Sequence, residues 1–283
     1  MALPPYVGPL ERSWFYSYRT ICGLIFIFLI TPIIVIIPLS FNTVPFFTFT
    51  PEMLRLDPEA FSLRWYEDFF TNEQWLHSVK NSFIIAFFAT ILATVVGTIA
   101  ALGLSRPEMP YRALVMAILI SPMIVPLIIS AAGMFFFYTK IGLAQTHVGI
   151  ILAHAALGTP FVVITVTATL IGFDRSLIRA AHALGADPRT TFFKVVMPLI
   201  LPGVISGALF AFITSFDEVV VVLFLADFDQ RTIPRQMFSG LREQISPTIL
   251  AVATVLVAFS VMLLVTLELL RRRNERLRGI TPH

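Results

Sequence analysis

The sequence predicts an all-helical integral membrane protein of about six spans, with one structured polar insertion between the fourth and fifth. Three observations carry this. Hydrophobic residues fill 57% of the 283 positions and charged residues only 13%, a balance far more apolar than a soluble domain usually has. The apolar residues, 27 of them Phe, gather in runs long enough to cross the roughly 30 Å hydrocarbon core. Between two such runs, Asp174 to Pro198 carries helix caps and a corner of its own.

Taken in order, residues 1–20 are polar and aromatic, with Arg12 and Arg19 ahead of the first apolar run. That run, 21–41, exceeds a signal-peptide core and lacks a small-residue cleavage site, so it reads as an uncleaved span bent at Pro32 and Pro38. Residues 42–80 form the longest non-spanning stretch. There Leu63, Tyr66, Phe69 and Phe70 predict the apolar side of an interfacial helix, with Trp65 and Trp75 at headgroup level. Further spans are expected at 81–104, 111–138, 147–172, 200–226 and 247–270, followed by a basic tail, 271–283. Pro122, Pro126, Pro160 and Pro202 interrupt them, as membrane helices tolerate when neighbours satisfy the freed carbonyls. Gly97, Ala101, Gly133, Gly158, Gly203 and Gly207 are candidates for close helix contact, the last two in small-xxx-small register. No internal repeat or separable soluble domain is evident, and Cys22 stands alone, which excludes an intramolecular disulfide and a cysteine metal site.

Connecting segments on one side carry Arg12, Arg19, Arg106, Arg112, Arg175, Arg179, Arg189, Lys194 and the five arginines of the tail. The other side carries Arg55, Arg64, Lys80, Lys140, Arg231, Arg235 and Arg242. The positive-inside rule makes the first side, and both termini, cytoplasmic. A net charge of +3, dispersed among apolar runs, reflects this asymmetry and not a nucleic-acid partner. No G-x-x-x-x-G-K-[ST] phosphate loop, H-E-x-x-H zinc motif or nucleophile elbow is present, so the chain is not expected to be an enzyme. Any ATP-driven work would need a partner that hydrolyses ATP.

The insertion reads D-R-S-L-I-R-A-A-H-A-L-G-A-D-P-R-T-T-F-F-K-V-V-M-P. Asp174 is placed to cap a short helix whose Leu177, Ile178, Ala181 and Leu184 share a face. Gly185 is suited to stop it in a left-handed conformation, Asp187 and Pro188 to start a second helix, and Pro198 to end or kink that one. At this spacing Ala180, Ala181, Gly185, Val195, Met197 and Pro198 resemble the EAA loop of ABC importer permeases, the membrane subunits of type I ATP-driven uptake systems. The departures are Arg179 for the family's Glu, Val195 for Ile and Met197 for Leu.

The resemblance implies that residues 174–198 form a coupling helix docking a separate ATPase, through Arg179, Ala180, Ala181, Gly185, Ala186, Asp187 and Pro198. It also implies a bacterial inner-membrane setting, a second permease subunit, two ATPase subunits holding ATP and Mg, and an extracytoplasmic substrate-binding protein. No cofactor is expected in this chain. The string Phe61 to Tyr66, with Trp75 and Asn81-Ser82, and the string S-F-D-E at 215–218 resemble the polyamine-type permeases of that family, which implies a polyamine or related amino substrate.

Asp217 and Glu218 are the candidate substrate-pathway residues. Acids inside a span are costly and face a bundle interior or water, and on a continuous helix neighbours would point about 100 degrees apart. The competing reading is an outer-end acid near water or paired with an arginine. His147 and His154 lie near one helix face, and interhelical hydrogen bonds are favoured over a metal site. An ATP-independent transporter or channel would explain the spans and acids equally well, but not the spacing at 174–198. A non-transporting scaffold is the third class, and within the ABC importers another small solute or an anion is the alternative cargo.

Overall fold

The computed structural model describes residues 8–106, 108–243 and 246–277. Of the expected segments, the first seven residues, Pro107, residues 244–245 and the end of the basic tail, 278–283, lie outside them. The described residues are helical almost throughout and divide into two units, 1–72 with 240–283, and 73–239.

In the first unit, α1 (Pro9–Leu39) is one apolar helix running through Pro32 and Pro38, with only Leu39 buried. The short α2 (Pro51–Leu54) is capped by Thr50, whose hydroxyl accepts from Met53 N at 3.3 Å. The amphipathic α3 (Arg64–Thr71) turns Trp65 and Phe69 inward. The last helix, α13 (Thr248–Leu277), meets α3 where the Thr248 hydroxyl donates to Asp68 Oδ2 at 2.7 Å. Asn42 knits the connection: its Nδ2 donates to the carbonyls of Phe46 and Thr48, and its own carbonyl accepts from Trp65 Nε1 at 2.6 Å.

This corrects the expectation for 42–80. Trp65, Trp75 and Phe69 are buried, while Leu63 and Phe70 are exposed, so the indoles are not presented as headgroup anchors. Tyr66 shares a 2.6 Å hydrogen bond with Ser40 and packs its ring on Phe41. The aromatic ring edges found polar partners in the loop backbone, and satisfying a buried carbonyl outweighs interfacial exposure.

The second unit is built on three long helices, α4 (Glu73–Leu104), α7 (His147–Ile171) and α10 (Met197–Phe216). Ala89, Ala93, Val162, Val166, Ile200 and Val204 form their shared core. Close approach explains the glycines. A Cβ at Gly97 would lie 2.7 Å from Val162 Cβ, and one at Gly207 would lie 2.8 Å from Val162 Cα, so only hydrogen fits. Gly203 likewise abuts Thr169, whereas Gly133 faces open space and makes no such contact.

The expected span 111–138 is instead two helices, α5 (Arg112–Ile124) and α6 (Leu127–Ile141), bent by 100°. Pro122 and Pro126 flank the bend, the latter forcing Val125 extended. By contrast Pro160 and Pro202 sit inside unbroken helices. Among the described residues, four helices are long and apolar enough to cross a membrane, or five if the bent pair is one span, and Thr248–Met262 is a shorter apolar helix.

Candidate functional site

The polar insertion folds as a helix, a corner and a second helix. In α8 (Ser176–Ala183) the Asp174 carboxylate accepts from the Ser176 N–H at 2.8 Å and the Ser176 hydroxyl at 2.7 Å. These bonds hold the Asp174 carboxyl below its ordinary range. The helix ends in a Schellman motif: Gly185 N donates to His182 O, and Ala186 N to Ala181 O, both at 3.0 Å. Gly185 sits at φ +82°, the left-handed region in which a Cβ is disfavoured. Asp187 then caps α9 (Pro188–Thr191) with Pro188 in the first turn. Hydrogen bonds from Thr190, side chain first and then backbone, depress the Asp187 carboxyl.

Pro198 does not end the second helix. Residues Phe192–Val196 form a π turn in which Met197 N reaches back to Phe192 O, and α10 continues directly from it. A proline ring clashes with the carbonyl four residues back, and the wider π turn accommodates what a regular helix would not.

The corner has an outer and an inner side. Leu184 is 88% exposed and Leu177 41%, and Ala180, Gly185 and Pro198 are also open, while Ala181 and Ala186 are half-buried. Ile178, Phe173 and Phe192 pack on the α4/α7/α10 core. The corner is thereby packed directly against the three long helices.

The acids sit at a helix break, not on a continuous helix. Helix α10 stops at Phe216, and α11 (Val220–Leu225) begins after a gap. Both acids fall within the break, so helical rotation does not set their directions. Asp217 is exposed at the carbonyl end of α10. Glu218 is buried, and its Oε1 accepts from Val221 N at 2.9 Å, capping α11.

Both intramembrane histidines make interhelical bonds. His147 Nε2 lies 3.1 Å from Asn81 Oδ1 of α4, and His154 Nδ1 lies 2.8 Å from Ser215 Oγ of α10. Sequence spacing put them on one face but did not show that they meet different helices. Among the described residues no group of three or more His, Cys, Asp or Glu could hold a metal.

Sequence reading missed the network around Asn81, whose Nδ2 donates to Asp229 O at 2.8 Å and Arg231 O at 3.0 Å, joining α4 to the loop before α12 (Ile233–Glu243). An Asn-Ser pair at the mouth of an apolar run was the available signal. Ser82 completes it by accepting from Ile233 N at 2.8 Å.

Residues 93–276 match the family described as "Binding-protein-dependent transport system inner membrane component". The chain is 32% identical over 263 residues to the spermidine/putrescine transport system permease protein PotC of Haemophilus influenzae, covering 93% of this chain and 99% of that one. It is 30% identical to the putrescine transport system permease protein PotI of Escherichia coli strain K12, over 82% of each chain. A solved bacterial ABC transporter involved in the import of the acidic polysaccharide alginate has a similar chain, with TM-score 0.70 at 17% identity over 95% of this chain and 99% of that one.

Proposed function

This chain belongs to the inner membrane components of binding-protein-dependent transport systems, and from that premise we propose that it helps import a polyamine or related cationic amino compound. It is a multi-pass permease subunit of an ABC importer, and the ATP is bound by a partner ATPase. Membership sets aside the ATP-independent transporter and the scaffold. It implies ATPase and binding-protein partners.

The corner at 176–191 docks in an ATPase, with Ala180 and Ala181 allowing close approach and Gly185 setting the shape. Two ATPases act on two permease chains, this one and a second, and the pathway runs between the permeases. The excess of arginine and lysine on the insertion's side supports a cytoplasmic corner and cytoplasmic termini. Closure of the ATPases would move the paired corners and switch the pathway's access, a bistable rearrangement with no covalent step in this chain.

The observation that carries the substrate class is Asp217, an exposed carboxylate at the carbonyl end of α10. A helix C-terminus already bears partial negative charge, so a carboxylate there is unfavourable by itself and is relieved by a cation. The carboxylate would offset part of the hydration an ammonium loses on leaving water. The buried, capping Glu218 is a structural acid by comparison. The fold alone does not decide the matter, since the alginate transporter shares it.

The test is uptake of labelled spermidine by the chain reconstituted with a second permease, ATPase and binding protein. Asp217→Asn should lower uptake while the complex still assembles and hydrolyses ATP. Wild-type uptake in that variant removes Asp217 from the pathway, and loss of uptake on adding a proton uncoupler at maintained ATP contradicts ATP-driven import.

A further inference from the structure

On its inner side the corner encloses a cavity of about 480 Å³, within the range of small-ligand pockets. Its rim is basic. Arg106, at the end of α4, Arg175, before α8, and Arg179 and His182, on α8, all line it. Residues 175, 178, 179 and 182 follow helical spacing, so one stripe of α8 faces the cavity while Leu177 and Leu184 stay exposed. The floor is apolar, formed by Leu102, Phe173 and Phe192 among others.

The positive charge is only partly offset from within, by the Asp174 carboxylate acting on Arg179. Among the described residues no carboxylate pairs with these guanidiniums; Arg175 instead donates to the Ser105 carbonyl. The nearest acids, Asp174 and Asp187, are engaged with Ser176 and Thr190. Glu108 lines, together with Arg106, a neighbouring hollow and not this pocket. A second observation points to an occupant. Thr191 lines the pocket and is 3% exposed, and its hydroxyl has no hydrogen-bond partner. A buried hydroxyl of this kind is costly unless something accepts from it or donates to it.

We propose that this pocket binds a phosphate-bearing anion, with the guanidiniums on the phosphate oxygens and the apolar floor suited to the glycerol and upper acyl carbons of an anionic phospholipid. Guanidinium forks match phosphate geometry, and basic pockets at the cytoplasmic ends of membrane helices suit such headgroups. Arg179 is decisive. The EAA pattern has Glu at this position, and a carboxylate there would stand against Arg175 and Arg106 and cancel the site. The arginine thus converts the underside of the coupling helix into an anion site, through which bound lipid would brace the corner against the ends of α4 and α7. Its location at the cytoplasmic leaflet rests on the orientation proposed above; the binding chemistry does not.

The test uses the full chain, purified in mild detergent, delipidated, and titrated with phosphatidylglycerol, phosphatidylcholine or inorganic phosphate. Binding is read by native mass spectrometry and by the thermal melting point. Phosphatidylglycerol should bind and raise the melting point, and phosphatidylcholine should not. Arg179→Glu removes one cation and adds one anion, and should weaken binding roughly thirtyfold, while Arg189→Glu, the same charge change outside the pocket, should leave it near wild type. If Arg179→Glu does not fold, Arg106→Gln should still weaken binding roughly fivefold. Equal protection by inorganic phosphate supports the anion site and assigns its occupant to a soluble phosphate. Indifference to both phosphatidylglycerol and phosphate, or equal weakening in Arg189→Glu, overturns the proposal. No ATPase or substrate is present, so failure here leaves the coupling role standing, and loss of coupling leaves lipid binding unchanged.

Discussion

Replacing Gly185 asks whether the ATPase recognises the corner by its shape. A Cβ built at this position meets nothing within 4 Å, so a side chain introduces no clash, and the backbone cost is isolated. With φ at +82°, an L residue there costs roughly 1–2 kcal/mol, the upper end for β-branched valine. The corner is short and exposed, tied to the core through Ile178 and Phe192, so the cost falls on its own population. At 1.4 kcal/mol per tenfold, the apparent Kd for the ATPase rises by as much as about 5- to 30-fold in Gly185→Val. Asparagine tolerates the left-handed region, and Gly185→Asn should stay close to wild type. The assay is titration of the detergent-purified chain with its ATPase. Equal Kd values for the valine and asparagine variants, or no change in either, would show that the ATPase does not read the left-handed turn.

Three further outcomes follow from the packing and the caps. Gly207→Ala places a Cβ 2.8 Å from the Val162 backbone, which cannot rotate away, so melting of the purified chain should show a loss of about 1–3 kcal/mol, and Gly133→Ala, in open space, should show none. Trp65→Phe leaves the Asn42 carbonyl without its 2.6 Å partner and should cost about 1–3 kcal/mol, seen as faster hydrogen exchange in residues 42–62. The Asp174 and Asp187 carboxyls are both depressed by their caps, so the stability they add is present above the ordinary aspartate range and is lost as pH falls through the lower folded values. Proteolysis of the corner should be unchanged from neutrality down to about pH 5 and rise only below about pH 4; a rise already near pH 6 would refute the role of the two caps.

The alanine and glycine positions of the corner were legible because their physics is local. A left-handed residue needs Gly185, and an N-cap before proline needs Asp187, whatever surrounds them. Pro198 was misread because its effect depends on the turn before it, and a π turn has no strong sequence signal. The aromatic stretch near 65 was misread because amphipathic patterning cannot tell a membrane surface from a protein one.

Composition and run length determined by themselves that the chain is a helical membrane protein, and cap and corner residues determined the shape of its polar insertion. These depend on burial energy and backbone dihedrals, which each segment carries with it. Tertiary structure alone decided that His147 and His154 reach different helices, and that Arg106, Arg175 and Arg179 converge on one pocket. Each of these is a meeting of residues from separate helices, and such meetings are fixed by packing of whole helices, to which no local stretch of sequence has access.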